Sequence, residues 1–322
     1  MGPTMSKMKS SLSAVAALLA LGFAAVPASA ANTRSFISAN GLDTNACART
    51  APCRTLQTAH DNTNAGGEIN MLDPAGYGPV TITKPISIVN DGVGSAGILV
   101  PSGGTGITIN AGPTDTVNLR GLIVEGAGVG ATGIRFNTGA SLTIENCVVR
   151  GLTSNAIAYA PTISSTFSVS NTFVANSANG IVVLPIGSNI VAKAVISRVE
   201  AHNNGNSGIF VSGALNTGTG TVNATVTDSV ASNNTFGMAI ITDVNLASVG
   251  LLVVHSVAAN NTVGLASQGS NAILRVAQST VTGNTLGWET ITSGVVQSYG
   301  DNYIDFNTSN EAAPPAVTPG KK

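Results

Sequence analysis

Charge is what this sequence has least of. Asp, Glu, Lys and Arg make up 9% of its 322 residues, against about a quarter in an average domain. The formal balance is −1 and no block of Lys or Arg runs along the chain. That excludes the basic footprint of a nucleic-acid binder. Aromatic residues are 4%, with one Trp, so any core must be built mainly from small branched side chains. There are three cysteines, and none sits with a second Cys/His pair at ligand spacing, so no metal site is expected. After Val26 no apolar run is long enough to cross a bilayer, so no membrane span is expected. The apolar residues instead come in short alternating pieces, which fits neither a membrane protein nor a disordered one.

What is present begins with an export signal. Lys7 and Lys9 precede "LSAVAALLALGFAAV", and "PASA" follows with small residues at Ala28 and Ala30. A positive region, an apolar core and an A-x-A site make residues 1–30 a secretory signal peptide. The expected location is periplasmic or extracellular, in a bacterium. In an oxidising compartment the close pair Cys47 and Cys53, in "CARTAPC", is expected to form a disulfide. Cys147 is left as a free, buried, small side chain.

The chain repeats itself. "TDSVASNNTFG" and "VHSVAANNTVG" lie 27 residues apart. Anchors preceding an apolar residue recur at Gly106, Gly133, Ala156, Gly180, Gly208, Gly237, Gly264 and Gly287, with gaps of 23 to 29. Between them lie short β-branched pieces with period two, such as "LTIE", in which Leu142 and Ile144 point one way and Thr143 and Glu145 the other. Short strands at a period in the twenties mean a solenoid. The expected fold is all-β, a single-stranded parallel β-helix (solenoid) of roughly nine coils. Residues 31–66 form the cap, 67–310 the β-helix and 311–322 a flexible tail.

The polar residues then belong at the bends. A corner column reads Asn146, Asn171, Ser197, Asp228, His255, Gln278 and Asp301. Its side chains are expected to bond buried backbone groups and one another. A second bend reads Asn176, Asn204, Asn234, Asn261 and Asn284. The anchor glycines are expected to supply the dihedrals of a tight turn.

The stretch "SFISANGLDTNACARTAPCRTLQTAHDNTNAGGEINMLDPAGYGPVTIT" resembles the first coil of secreted parallel β-helix proteins of the pectate-lyase-like superfamily. The matching parts are Gly41 and Asp43 in a turn, a helix within Pro52 to Ala59, and a strand from Gly66 toward Tyr77. The resemblance implies that the β-helix is right-handed and that a short N-terminal capping helix covers the open end of the core with Leu56 and Ala59. It also implies an association with polysaccharide, and calcium only if the chain is a lyase. It implies no activity, because the superfamily holds enzymes, adhesins and binding proteins alike.

A search for chemistry returns little. Outward positions of the glycine-anchored strand read Arg135, Ala158, Val182, Phe210, Ala239, Ala266 and Glu289, almost bare of acid and base. Ligand-binding candidates are Glu125 with Arg150, expected as near neighbours, and Glu145 with Arg135 on one coil. Asp228 and His255, on adjacent coils, are the only catalytic candidates, since a carboxylate beside a histidine can make a general base. His202 reads as a loop residue, Lys193 falls at an inward position, and Trp288 reads as core. The leading expectation is an exported scaffold, without catalysis or cofactor, that binds a glycan or cell-envelope surface. The alternatives are a lyase or hydrolase acting on acidic polysaccharide, and a phage-adhesin-like oligomer; whether the chain is an enzyme stays open, as does its oligomeric state.

Overall fold

The computed structural model describes residues 32–318; the signal peptide expected at 1–30 lies outside the described residues. The chain winds as a parallel β-solenoid with a single short helix among the described residues. One coil shows the plan. Strand Thr132–Thr138 leads into Ser141–Glu145, the chain turns at Asn146, runs as Val148–Arg150, turns again at Gly151 and starts the next coil with Asn155–Tyr159. Every strand pairs in parallel with its copy one coil on, and the strands after the anchors form a nine-stranded sheet from Val80–Ile82 to Leu286–Ile291.

Period-two alternation sends one row of side chains inward. In register along the nine-stranded sheet stand Ile107, Ile134, Ile157, Ile181, Ile209, Met238, Leu265 and Trp288. All but Trp288 are at most 1% exposed. Each such burial is worth about 1.5–3 kcal/mol, and stacking like on like keeps rotamers compatible from coil to coil. Within the core Tyr159 stacks on Phe167 with centroids 5.0 Å apart and packs tilted against Phe136 at 5.2 Å.

The corners obey a rule finer than the sequence reading. At each bend one residue takes a left-handed conformation and points to solvent, and the residue after it points inward. The first bend reads Gly121, Asn146, Asn171, Arg198, Asp228, His255 and Gln278, all at φ between 46° and 72°. Its non-glycine members are all exposed. Ser197 does not belong to this column, because it pairs with Ser170 and Thr227 and Arg198 takes the corner. Asp301 closes the column by accepting the Gln278 N–H at 3.1 Å.

The hydrogen-bonding ladder is carried by the next residue along. Ser229 N–H donates to Ser256 Oγ (3.2 Å), Ser256 N–H to Ser279 Oγ (3.1 Å), and Ser279 N–H to Asn302 Oδ1 (2.9 Å). Cys147 is a member: its N–H donates to Thr172 Oγ1 (3.3 Å) and its Sγ receives the Leu122 N–H (3.5 Å). The second bend is built likewise. Asn176 lies one residue too early, exposed at φ 52°, and Ser177 holds the inward place. Beyond it, buried Asn204, Asn234, Asn261, Asn284 and Asn307 form a continuous amide ladder, each receiving the backbone and side-chain N–H of the one before.

The anchor glycines serve a different purpose from the one expected. None of them has a positive φ. A Cβ on Gly237 would lie 2.6 Å from Gly264 O and 2.8 Å from Asn261 Nδ2. The column is glycine because the amide ladder and the next coil's carbonyl press against it.

Both ends are closed. Helix α1 (Leu56–Asn62) is capped by Thr55 and buries Leu56, Ala59 and His60 over the first coil. The Asp43 carboxylate receives the Arg54 and Thr55 N–H groups, each at 2.9 Å, which explains the acidic turn before the helix. Cys47 and Cys53 are bonded, and their loop covers the first strand's edge through Phe36 N–H to Cys47 O and Cys53 N–H to Phe36 O. At the far end the stretch expected as a tail lies back on the last coil. Ser298 donates to Pro315 O and receives the Val317 N–H, Val317 is buried, and Trp288 Nε1 donates to Ala312 O at 2.8 Å. Trp288 is half-buried against the core under this stretch.

Candidate binding groove

The outer face of the nine-stranded sheet carries a groove of about 500 Å³. Its floor comes from the outward positions of successive strands: Val182, Phe210, Ala239 and Ala266 stand in register. Phe236 joins them, and Phe210, Phe236, Ala239, Val263, Ala266 and Leu286 form an apolar cluster outside the main core. Asn155, Asn179 and Asn206 border one long edge and Gln268 the other. Asn179 Nδ2 donates to Asn155 Oδ1 at 3.0 Å, so the edge amides are themselves linked between coils. None of the lining residues carries a formal charge. At either end of the floor column stand Arg135, whose Nε donates to Asn137 Oδ1 at 2.8 Å, and Glu289.

The sequence held the signal for this groove. "GIVV", "GIFV" and "GMAII" are runs apolar at consecutive positions, the pattern of a strand covered on both faces. A search for acids and bases at the outward positions passes over it.

The ionisable candidates lie elsewhere. Glu125 and Arg150 meet as expected, Oε2 to Nε at 2.6 Å, with half of the arginine exposed. Glu145 and Arg135 are not brought together: Glu145 lies beside Arg120 and Ser170 on a different sheet. His255 Nδ1 is 3.9 Å from Asp228 Oδ1, and both are more than half exposed on the solvent-facing corner. Asp228 Oδ2 receives the Thr227 hydroxyl at 3.0 Å. Lys193 points outward, between Thr166 and Asn223 on the long sheet, because its strand starts at Val191 and sets the opposite parity.

His202 is a strand residue, not a loop residue. Its Nδ1 is 2.6 Å from Ser232 Oγ and its Nε2 is 3.3 Å from Glu200 Oε2. Phe173 packs on the ring. Nothing in the sequence separates this serine from the many others.

Among the described residues no group of three or more His, Cys, Asp or Glu is placed to hold a metal ion. None of the residues lining the groove is a carboxylate. No helix among the described residues is long and apolar enough to cross a membrane.

No protein-family profile matches the chain, and no curated protein matches it. A solved structure does: the crystal structure of pectate lyase Pel9A, with a TM-score of 0.61 over 82% of this chain and 74% of that one, at 16% identity. At that identity the likeness establishes architecture alone, and the shared architecture is a parallel β-helix.

Proposed function

We propose that this chain is an exported, rigid scaffold that binds a glycan along the outer face of its nine-stranded sheet. The observation that carries this reading is the groove: an apolar floor with two phenylalanines, bordered by side-chain amides. Sugar rings have the same division, with C–H groups on their faces and hydroxyls around their edges. Aromatic rings pack against the former and amides bond the latter. The disulfide supports an oxidising compartment, and the pectate-lyase-like fold supports a polysaccharide-related role. The test is affinity electrophoresis against a panel of soluble polysaccharides, with Phe210→Ala as the groove variant. Retention of the parent and release of the variant support the reading; equal mobility of both in every gel ends it.

A second reading, ester hydrolysis, is favoured by His202. A ring nitrogen 2.6 Å from a serine oxygen, with a carboxylate at the other nitrogen, is the arrangement of an activated hydroxyl. Against it, Glu200 is 63% exposed. A serine-directed phosphonate that labels Ser232 in the parent but not in His202→Gln would establish it. Absence of labelling in the parent would remove it.

A further inference from the structure

The groove's composition narrows its ligand further. We infer that it takes an uncharged, flat glycan of equatorially linked pyranose rings, and that it selects against acidic polysaccharides. This rests on the reading that the groove binds glycan at all.

Charge decides the first half. The lining holds neither Lys nor Arg. A polyanion laid there would give up water around its carboxylates against Val182, Phe210, Phe236, Ala239 and Ala266 and receive no cation in return. Desolvation of an unpaired charge is the most expensive kind of burial. The arginine of the floor column, Arg135, lies beyond Ala158 at one end, and the other end carries Glu289. The uncharged floor runs from Val182 to Ala266, three strand spacings or roughly 14 Å, room for two to three rings. Two cationic side chains of the long sheet, Lys193 and Arg275, border other hollows, away from this groove.

Shape decides the second half. An equatorially linked chain is a ribbon with both faces apolar and its hydroxyls along the two edges. The groove has the complementary arrangement, with apolar residues along the floor, Asn155, Asn179 and Asn206 on one rim and Gln268 on the other. Axial linkages would turn hydroxyls down onto the phenylalanines, where no partner receives them, at the cost of an unmade hydrogen bond.

The experiment compares hydroxyethylcellulose and soluble chitin oligomers with polygalacturonate and alginate. It uses the parent, Phe210→Ala, the exposed rim variant Asn206→Ala, and a Lys193→Ala/Arg275→Ala double variant. Each is first shown to be folded by circular dichroism. The expected result is binding of a neutral polymer that salt does not weaken, a loss of at least about tenfold in Phe210→Ala (the range of a removed aromatic contact), a smaller loss in Asn206→Ala, and none in the double variant. Binding of polygalacturonate or alginate that salt abolishes and the double variant loses would overturn the inference and leave glycan binding standing on another face. Failure of all four polymers to bind would remove both.

Discussion

Replacing Asn261 by leucine tests the corner rule at its most connected point. The asparagine is 3% exposed. Its Oδ1 receives the Asn234 N–H at 3.0 Å and Asn234 Nδ2 at 3.1 Å, and its Nδ2 donates to Ala231 O and to Asn284 Oδ1, each at 3.0 Å. Leucine has nearly the same volume and none of these bonds. Asn284 Oδ1 keeps the Asn261 N–H as a partner at 2.8 Å, and Asn234 Nδ2 keeps the Ala201 carbonyl at 3.1 Å, but the Asn234 backbone N–H and the Ala231 carbonyl lose their bonds to this side chain. At about 1–3 kcal/mol for each of these two buried groups, and with some return from leucine's apolar surface, the loss should be about 2–5 kcal/mol. Asn261→Ser should cost less, since Ser177 fills the same place one end of the ladder up. The control is Asn171→Leu: that side chain is exposed, and its cost should be about 1–2 kcal/mol from the left-handed backbone at φ 46°. Urea unfolding midpoints give the ranking, and hydrogen exchange at the Asn234 amide localises it. Equal losses for Asn261→Leu and Asn171→Leu, or an Asn234 amide as protected in the leucine variant as in the parent, would refute the assignment of inward and outward corner positions.

Three further expectations follow from other parts of the molecule. Gly237→Ala should lower stability by about 1–3 kcal/mol, the usual range for overpacking, while Gly76→Ala, where an added Cβ meets nothing within 4 Å, should be close to neutral in the same thermal melt. Burial pushes the Cys147 thiol up to about 11, so iodoacetamide at pH 8 should leave it unmodified in the folded protein and alkylate it in denaturant. Burial alone would raise the Asp43 carboxyl, but the Thr55 and Arg54 amides and the Thr55 hydroxyl outweigh it and hold it below its ordinary 3.8; a lowered folded value gives stabilisation that is complete above the unfolded value and lost as pH falls through the folded one, so exchange protection of α1 should drop below about pH 4 and Asp43→Asn should flatten that dependence.

The period and the strand positions were legible because both rest on side-chain alternation, which a one-dimensional pattern preserves, and the capping helix was legible through the resemblance of Pro52 to Ala59. The corners were legible only to within a residue. A polar column marks a bend, but both the outward left-handed residue and the inward ladder residue are polar, so Asn176 and Ser177 cannot be ranked by composition. At Ser197 and Arg198 the strand runs through the corner from Val191 to His202, and the arginine's length disguises a position otherwise held by Asn, Asp, His and Gln. The pairing of Glu125 with Arg150 survived because both lie the same distance beyond paired residues. Glu145 and Arg135 failed because one coil has several faces, and sharing a coil does not mean sharing a side. Ser232 and His202 sit 30 residues apart in matching places of two coils, and only the register brings them together.

A β-solenoid is also a template, since each coil presents the next with a full set of parallel hydrogen-bonding groups. Nothing in that repeat tells it to stop, and two molecules with bare ends could polymerise head to tail. Here the disulfide loop occupies Phe36 at one terminus, and at the other a segment with Pro314 and Pro315, which have no N–H to offer, occupies Ser298. The two closures differ chemically, one covalent and one built on proline. Reduction would loosen only the first, and a molecule so treated would be sticky at one pole and inert at the other, able to pair but not to grow into a fibre.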